Sequence, residues 1–130
     1  MIYLDSSALL KLLFEEAESA ALEAWLAGRA DTPVLSSELV KAEIPRATRR
    51  LDPEVLPRAR RLITQLDQIP ITSALLDEAA ELEEVSLRSL DAIHLASALQ
   101  LSPELTAFVA YDARLAEAAR AAGLPIVQPG

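Results

Sequence analysis

Four acidic residues occupy positions in this sequence where their carboxylates could act together. They are Asp5, Glu43, Asp91 and Asp112. Four anions held close together repel one another, and some of them would have to take up a proton unless a cation neutralised them. A divalent ion removes that cost, lowers the pKa of a bound water and neutralises a phosphate under attack. The residue types therefore suggest metal-assisted hydrolysis of a phosphodiester, provided that the fold brings the four side chains together.

Asp5 and Asp112 each follow a short apolar segment, residues 2–4 and 107–110, that is typical of a β-strand. Strands that alternate with helices form parallel sheets, and such sheets place their functional sites beyond the carboxyl ends of the strands. Both aspartates are therefore expected at one edge of a sheet. Either of them could instead serve only as the N-cap of the helix that follows.

Glu43 and Asp91 fall on predicted helices. Glu43 lies on or beside the helical stripe formed by positions 39, 40, 44 and 47, which is the face expected to be buried. A carboxylate there costs free energy unless it is paired or binds a metal, and Arg46 or Arg50 could supply a salt bridge at its edge. Asp91 lies in the first turn of a largely apolar helix, where the helix dipole favours its ionised form and capping is the alternative role.

A metal at these residues would have to be held by oxygen. The chain has no cysteine and one histidine, which excludes thiolate sites and imidazole clusters, and oxygen ligands favour hard cations such as Mg²⁺ or Mn²⁺. The single histidine, His94, lies three residues after Asp91. We expect it to bond within its helix or the core rather than to a metal.

The charge of the chain is unevenly distributed. Its 130 residues have a formal net charge of −8 at pH 7, which argues against broad, non-specific binding to nucleic acid. Seven of the twelve basic residues nevertheless lie between positions 41 and 61, alongside three acidic ones. Within this stretch Lys41, Arg46, Arg49 and Arg50 are candidates for contacting a phosphate backbone or an acidic partner, although the stretch could equally be only a solvated helix face.

The length and the even composition predict a single domain over residues 1–130. The N-terminal residues lack the basic and apolar regions of a signal peptide, and no apolar run is long enough to span a membrane. We therefore expect a cytoplasmic protein.

The spacing of apolar, capping and helix-breaking residues predicts short strands that alternate with helices. Strands are expected near residues 2–4, 32–35, 68–71, 107–110 and 125–127, and helices over about 6–13, 16–27, 36–50, 54–67, 73–84, 89–101 and 113–122. Pro45 is expected to kink or break its helix, and residues 128–130 are expected to fray. The fold class is α/β, a single three-layer α/β/α domain with a central parallel sheet of four or five short strands.

At its acidic residues the sequence resembles the PIN domain, and closely its VapC-type toxin branch. The stretches that carry the resemblance occur in the family order and together cover essentially the whole chain. They are Ile2-Tyr3-Leu4-Asp5-Ser6-Ser7-Ala8-Leu9, Val40-Lys41-Ala42-Glu43-Ile44, Leu87 to Ala98 with its core Leu90-Asp91-Ala92-Ile93-His94-Leu95-Ala96, and Phe108-Val109-Ala110-Tyr111-Asp112-Ala113-Arg114-Leu115.

This resemblance implies a parallel sheet between layers of helices and an endonuclease that cleaves RNA with Mg²⁺ or Mn²⁺. Asp5, Glu43, Asp91 and Asp112 match the metal-binding quartet of the family, in which Asp112 is the member most readily assigned a role beyond direct coordination. Ser6 matches a small hydroxyl residue that would form a hydrogen bond near the metal or its water.

One departure from the family pattern concerns Ala110, where many relatives carry threonine or serine, so that a hydroxyl group near the metal is expected to be missing. The resemblance also implies a homodimer and a cognate VapB-type antitoxin whose C-terminal segment occupies the site. The basic stretch 41–61 would guide the RNA or dock that partner. Two alternatives stay open: a PIN-like nuclease of RNA processing without a toxin role, and a catalytically silent PIN-like binding scaffold.

Two other protein classes that place an aspartate after the first strand are disfavoured. An aspartyl-phosphate phosphatase needs a second aspartate two positions after Asp5, where this chain has Ser7. A phospho-receiver domain needs an acidic pair beside its aspartate and a lysine after a late strand, and the last strands predicted here have no such lysine.

Overall fold

The computed structural model describes all 130 residues, which form a parallel sheet of five strands with helices on both faces. The strands are β1 (Ile2–Leu4), β2 (Val34–Ser37), β3 (Asp67–Ile69), β4 (Ala107–Val109) and β5 (Ile126–Val127). The helices are α1 (Ser6–Leu13), α2 (Ser19–Ala27), α3 (Val40–Leu51), α4 (Leu56–Thr64), α5 (Ser73–Ala80), α6 (Ser89–Leu99) and α7 (Ala113–Ala121), with a 3₁₀ turn at Pro53–Val55. The predicted α/β class with five short strands is confirmed.

The strands lie in the order β3-β2-β1-β4-β5. β1 is central, and its residue Ile2 is opposite Val34 of β2 on one side and Ala107 of β4 on the other. The chain therefore builds the sheet outward through β3, then returns to begin β4 on the opposite side of β1. In open α/β sheets the crevice at such a reversal is where ligands bind, beyond the carboxyl ends of the two strands.

Each face of the sheet covers its own apolar core. The alternation of side chains along β1 sends Ile2 and Leu4 into one core and Tyr3 into the other. The first core is completed by buried side chains from α1 to α4, and the second by side chains from α6 and α7. Because both faces are covered, the residues that follow β1 and β4 are held between two packed layers at the edge of the sheet.

β2 differs most from the sequence-based prediction. The strand spans Val34–Ser37 instead of residues 32–35, and α3 begins at Val40 instead of residue 36. Ser36 is fully buried, and its hydroxyl donates a hydrogen bond of 2.6 Å to the carbonyl of Leu4. A serine whose hydroxyl is satisfied in this way can lie inside a strand. The prediction that the two serines start a helix is therefore wrong.

Several helices are shorter than predicted, and α2 and α5 show the reasons. α2 begins at Ser19, because the Ser19 hydroxyl accepts from the amide of Glu16 and donates to the carbonyl of Phe14, which fixes the preceding residues in a turn. α5 ends at Ala80 rather than near residue 84. Residues 81–84 contain three glutamates and one leucine, and only Leu82 packs against the second core, so the segment lacks the apolar stripe of a further helical turn.

α3 continues without interruption through Pro45, so the predicted break is not found. Proline leaves the carbonyl of Lys41 without its helical partner, but Lys41 is exposed and water can take that place. Val40 and Ile44 are fully buried in the first core. Their packing keeps the helix in place on both sides of the proline.

Two of the last three residues are held by hydrogen bonds, which contradicts the expectation that they fray. The side-chain Nε2 of Gln128 donates to the carbonyl of Ala110 at 2.8 Å, and the hydroxyl of Tyr111 donates to the carbonyl of Pro129 at 2.8 Å. The apolar pattern gave no sign of these contacts, because they are polar bonds to a segment far away in sequence.

The helices are short, and the longest, α3, has 12 residues. None of them combines the length and the hydropathy that crossing a lipid bilayer requires.

Candidate active site

Asp5 follows β1 directly and is the N-cap of α1. Its Oδ1 atom accepts hydrogen bonds from the amide of Ala8 at 3.0 Å and from the hydroxyl of Ser7 at 2.6 Å. Asp5 is only 2% exposed, yet no buried side-chain polar atom of the protein lacks a partner. Its Oδ2 atom accepts no hydrogen bond and therefore keeps contact with solvent. One carboxylate thus serves as a helix cap and also retains an oxygen for a ligand.

Ser7 connects Asp5 to the neighbouring strand end. Its hydroxyl donates to Asp5 Oδ1 and accepts the amide of Tyr111 at 3.0 Å. Tyr111 immediately precedes Asp112, so a single hydroxyl group joins the segment after β1 to the segment after β4. A backbone hydrogen bond of 3.1 Å from the amide of Asp5 to the carbonyl of Val109 supports the same junction.

Glu43 reaches the site from the first turn of α3, and its side chain is 16% exposed. Its Oε1 atom lies 2.7 Å from Nε2 of His94, and its Oε2 atom accepts a long hydrogen bond of 3.4 Å from the hydroxyl of Ser6. Neither Arg46 nor Arg50 forms an ion pair with it. The partner of Glu43 is therefore the histidine, and not an arginine as the sequence suggested.

His94 is fully buried and links Glu43 to the second core. Its Nδ1 atom lies 2.7 Å from the hydroxyl of Tyr3, whose ring stacks on Phe108 at a centroid distance of 5.2 Å. An ionised carboxylate can only accept, so Nε2 carries a proton directed at Glu43, and Nδ1 is left to pair with the Tyr3 hydroxyl. Burial, reinforced by the charge of Asp5, raises the pKa of Tyr3 well above its usual value. The Tyr3 hydroxyl therefore keeps its proton and remains a donor.

Asp91 lies in the first turn of α6 without capping it, because Arg88 occupies the N-cap position and no side chain caps this helix. The alternative in which Asp91 is only a cap is therefore wrong. Burial raises the pKa of Asp91, and the negative charges of Asp112 and Glu43 raise it further. His94 lowers this pKa in part.

Asp112 follows β4 after a short connection and is the N-cap of α7. Its Oδ1 atom accepts the amide of Leu115 at 2.9 Å, and its Oδ2 atom accepts no hydrogen bond. The residue is exposed. Asp112 therefore repeats the arrangement of Asp5 at the neighbouring strand end, with one oxygen used for capping and one left free.

The four carboxylates lie close enough to affect one another. Burial is the largest cause that raises the pKa of Asp5 to about 6, and the charge of Asp91 contributes in the same direction. Asp112 and Glu43 act on Asp91 in the same way. The site is a partly dehydrated cleft in which additional negative charge is unfavourable and a cation would be stabilised.

The donor set fits a hard divalent cation in its chemistry. Each of the four carboxylates has at least one oxygen without a short hydrogen bond, and no lysine or arginine forms an ion pair with any of them. No three acidic or histidine side chains converge closely enough in the protein alone to complete a ligand sphere. Binding therefore requires side chains to turn, and Asp91 and Asp112 are the least restrained.

Two neighbouring cavities open beside the carboxylates. The first has a volume of about 370 Å³, and its polar lining residues are Ser6, Glu43, Arg46 and Arg50. The second has a volume of about 330 Å³, and its polar lining residues are Arg88, Asp91, Asp112 and Arg114. Consecutive residues at the start of α6 contribute to both, Leu90 to the first cavity and Asp91 to the second.

The structure separates the four basic residues that the sequence singled out. Arg46 and Arg50 line the cavity beside Glu43. Lys41 instead lies 3.7 Å from the carboxylate of Glu38 and is largely exposed. Arg49 is exposed and lines neither cavity. Only the first two are therefore placed to touch a ligand of the site.

The sequence matches the PIN domain family over residues 2–121. The chain belongs to the PIN domain family. It is 45% identical, over 133 residues that cover 100% of this chain and 98% of the relative, to Ribonuclease VapC35 of Mycobacterium tuberculosis. It is 42% identical over the same shares to Ribonuclease VapC47 of Mycobacterium tuberculosis. Within the PIN domain family these similarities assign the chain to the VapC branch.

Two solved structures share the fold of this PIN domain. VapC20 of Mycobacterium tuberculosis, a Sarcin-Ricin loop cleaving toxin, has a TM-score of 0.72 at 21% identity, with coverage of 99% of this chain and 100% of that one. VapBC2 from Rickettsia felis, bound to a DNA fragment from their promoter, has a TM-score of 0.74 at 15% identity, with both chains covered completely. At such low identity these likenesses show a common fold.

Sequence reasoning missed the residues that hold the PIN carboxylates in place. Tyr3 shares a face of β1 with Asp5, as the period of two along a strand indicates, and His94 lies almost one helical turn after Asp91. Ser7, two residues after Asp5, supplies the hydroxyl that bonds to it. Ala110 is fully buried and has no hydroxyl, so the side-chain hydroxyl that bonds to Asp5 comes from Ser7.

Proposed function

We propose that this PIN domain is a divalent-metal-dependent endoribonuclease that hydrolyses RNA phosphodiesters. Mg²⁺ or Mn²⁺ would be held by Asp5, Glu43, Asp91 and Asp112. The observation that best supports the proposal is that these four carboxylates lie beside the reversal between β1 and β4, each with an oxygen that accepts no short hydrogen bond, so that modest turns of the side chains would let them share an ion. The relatives called VapC ribonucleases support RNA as the substrate.

The residues of the site have different tasks in this proposal. Asp5 and Glu43 are the fixed members, since Ser7 and His94 hold one oxygen of each. Asp91 is free of hydrogen bonds and adjusts to complete the ligand set. When bound, the ion lowers the pKa of a water and neutralises the phosphate under attack. Partial burial of the carboxylates strengthens these electrostatic effects, because water screens them less.

We also propose that the protein is the cytoplasmic toxin of a VapBC-type pair, that it forms a homodimer and that a VapB-type antitoxin binds it. Support for an association comes from an apolar groove of about 420 Å³ between α5 and α6. Two large apolar residues on this groove are exposed, Leu76 at 46% and Val85 at 92%. Exposed apolar patches of this kind mark interaction surfaces.

The proposal is tested with protein freed from any co-purified antitoxin and incubated with total RNA and Mg²⁺. The variants are Asp5→Asn and Asp91→Asn, and the matched control is Asp77→Asn, which changes an exposed aspartate of α5. We expect the wild type and the control to cut RNA. The two site variants should lose about 100-fold or more of the activity, because a ligand and its charge are removed.

Calorimetry with Mn²⁺ separates the nuclease from a silent scaffold. The wild type should bind the ion, and Asp5→Asn and Asp91→Asn should not. A wild type that neither binds Mn²⁺ nor cuts RNA would overturn the proposal in favour of the scaffold, and cleavage that persists in EDTA would overturn its metal dependence. A neighbouring gene for a DNA-binding partner would support the toxin role over one in RNA processing.

A further inference from the structure

Arginine side chains flank the four carboxylates on two sides. One pair, Arg46 and Arg50, lies on successive turns of α3. The other pair comes from two different elements, with Arg88 at the N-cap of α6 and Arg114 in the first turn of α7. All four are exposed. None of them forms an ion pair anywhere in the protein.

The guanidinium groups of these pairs are available to an anion that enters the site. Arg88 is close enough to Asp91 to lower the pKa of that carboxyl in part, but it makes no ion pair with it. A guanidinium group carries five donors in a planar fork that matches the oxygens of a phosphate. An arginine that lines a cavity without a partner in the protein can therefore hold a phosphate group there.

We propose that the RNA strand crosses the carboxylates from one arginine pair to the other, so that the two pairs bind backbone phosphates on opposite sides of the scissile phosphate. This rests on the proposed cleavage of RNA and adds the path of the substrate. Leu90 lines the first cavity and the next residue, Asp91, lines the second, so a strand that leaves one cavity at the start of α6 could enter the other. Glu43 lines the first cavity, and Asp91 and Asp112 line the second, so such a strand would pass the carboxylates where cleavage would occur.

Local arginine pairs explain how a chain with a net charge of −8 can bind a polyanion. At physiological ionic strength, exposed charges farther apart than about 8 Å are largely screened from each other. A phosphate in either cavity therefore responds to the arginines that line it more than to the charge of the whole protein. Arg88 and Arg114 lie outside the basic stretch 41–61, so α3 alone supplies only half of the path.

The first test measures binding of a fluorescent single-stranded RNA of mixed sequence, in an Asp5→Asn background that does not cut it. Three double variants are compared: Arg46→Gln with Arg50→Gln, Arg88→Gln with Arg114→Gln, and the control Arg60→Gln with Arg120→Gln, whose residues are exposed and line neither cavity. For single strands the slope of log K against log salt changes by about 0.7 for each lost phosphate contact. Each site pair should lower the slope by that amount per contact, and the control pair should not.

The second test locates the pairs relative to the cut. An RNA oligonucleotide that spans a site cut by the wild type is shortened from one end and then from the other, and cleavage rates are measured for both site variants in an otherwise wild-type background. Shortening on one side should abolish the effect of the Arg46 and Arg50 substitutions and leave that of Arg88 and Arg114. Shortening on the other side should do the reverse.

The outcomes distinguish a failure of the proposed RNA path from a failure of the proposed ribonuclease activity. The proposed path would be overturned if the site variants had the same salt slope as the control pair. It would also be overturned if the effects of both arginine pairs on the cleavage rate disappeared together, whichever end of the RNA is shortened. Neither result would contradict RNA cleavage itself. A wild type that cuts no RNA would overturn the proposed function, and the path with it.

Discussion

At the scale of single residues, Asp5 and Asp112 each combine a capping hydrogen bond with an oxygen that accepts none, whereas Glu43 accepts through both oxygens and Asp91 through neither. Asp5 caps α1 through Oδ1, and Glu43 bonds to His94 through Oε1. The sequence treated helix capping and metal binding as alternatives, but they are compatible, because a carboxylate has two oxygens and can serve both purposes. The cost of this arrangement is burial of negative charge, which is largest at Asp5.

The buried charge of Asp5 makes the metal-free protein less stable as the pH rises. Its pKa increases from 3.8 to about 6 on folding, so the folded state binds more protons between these values and stability falls as the pH rises through them. Above pH 6 the cost is about 3 kcal/mol, at about 1.4 kcal/mol for each pKa unit. Asp5→Asn should remove most of this loss, because asparagine also caps helices.

Urea unfolding of both proteins in EDTA, from pH 4 to pH 8, measures this effect as the difference in unfolding free energy. Saturating Mn²⁺ at pH 8 should then stabilise the wild type, by about 2.7 kcal/mol at one hundred times its dissociation constant, and should leave Asp5→Asn unchanged. If the difference in unfolding free energy between the wild type and Asp5→Asn does not vary with pH, the buried charge of Asp5 is not the cause of the lost stability.

The contact between His94 and Glu43 predicts a graded loss of metal affinity. His94→Leu removes the donor to Oε1 and should weaken Mn²⁺ binding by about 10- to 100-fold, as is typical when a residue that orients a ligand is lost. His94→Gln keeps an amide donor and should lose less. Calorimetry measures both, and Ser97→Ala is the control, since Ser97 is buried on the same helix and donates to the carbonyl of Ile93 and not to a carboxylate of the site.

If His94→Leu folds and binds Mn²⁺ as tightly as the wild type, the histidine is only a core residue. A melting temperature that His94→Leu lowers equally in EDTA and in Mn²⁺ would also show that the histidine is only a core residue. The Ser97→Ala control shows how much stability a small defect in α6 costs by itself, so that a general loss of packing is not mistaken for a loss of metal affinity.

Residue types and positions along the chain correctly placed Asp5 after a strand and Glu43 and Asp91 early in helices, whereas their role as metal ligands stays a prediction. Residue types and positions did not identify the side chains that form hydrogen bonds with these carboxylates. The bond from His94 to Glu43 joins residues 51 positions apart, and no local pattern reports which buried histidine meets which carboxylate. The same holds for Ser7 and Tyr111, which are 104 positions apart.

At the scale of elements, helix starts position the site. α1, α6 and α7 all begin beside the sheet edge, and two of them are capped by members of the acidic quartet. The positive end of a helix dipole stabilises an anion at its first turn. The helix starts therefore favour the ionised carboxylates that a cation requires, whereas burial opposes them.

Substitutions of Asp112 separate its capping role from its charge. Asp112→Asn keeps an oxygen for the amide of Leu115 and should leave stability nearly unchanged, whereas Asp112→Ala should cost about 1 kcal/mol. Both remove the negative charge, so both should weaken Mn²⁺ binding. Thr72→Ala is the matched control, because Thr72 caps α5 through the same kind of bond.

Denaturant unfolding and Mn²⁺ calorimetry together test whether Asp112 contributes to metal binding or only caps α7. The Thr72→Ala control should lose stability and keep its affinity for the ion. Should Asp112→Asn also keep the affinity of the wild type, Asp112 is a cap alone and the quartet is reduced to three.

The sequence predicted the order and type of the elements, since apolar periodicity and turn residues are local signals. It failed where tertiary contacts outweighed those signals. Ser36 and Ser37 are good helix starters, but the bond from Ser36 to Leu4 retains them in β2. Pro45 disfavours a helix, but the buried residues on either side of it keep α3 continuous.

At the scale of the whole molecule, the two cores are joined by one thin sheet. We expect residues 1–130 to unfold as a single cooperative unit, because the site junction crosses between strands that border both cores. Leu22→Ala in the first core and Leu115→Ala in the second should each cost about 2–5 kcal/mol. Both should shift the same calorimetric transition.

Two transitions that respond separately to the two substitutions would show that the faces unfold independently. The double variant provides the control, since the costs should add if the two residues, on opposite faces of the sheet, share no partner. Neither leucine belongs to the site, so Mn²⁺ should raise the melting temperature of every variant that folds.

Because β1 pairs with β4, the site can assemble only late in the synthesis of the chain. Ile2 is opposite Ala107, and the amide of Asp5 needs the carbonyl of Val109. A ribosome that has made the first hundred residues therefore carries an unfinished sheet, in which the central strand has no neighbour on one side. If the proposed ribonuclease site is catalytic, we expect the nascent chain to leave its own messenger uncut, because the segments after β1 and β4 meet only when nearly all of the polypeptide has emerged.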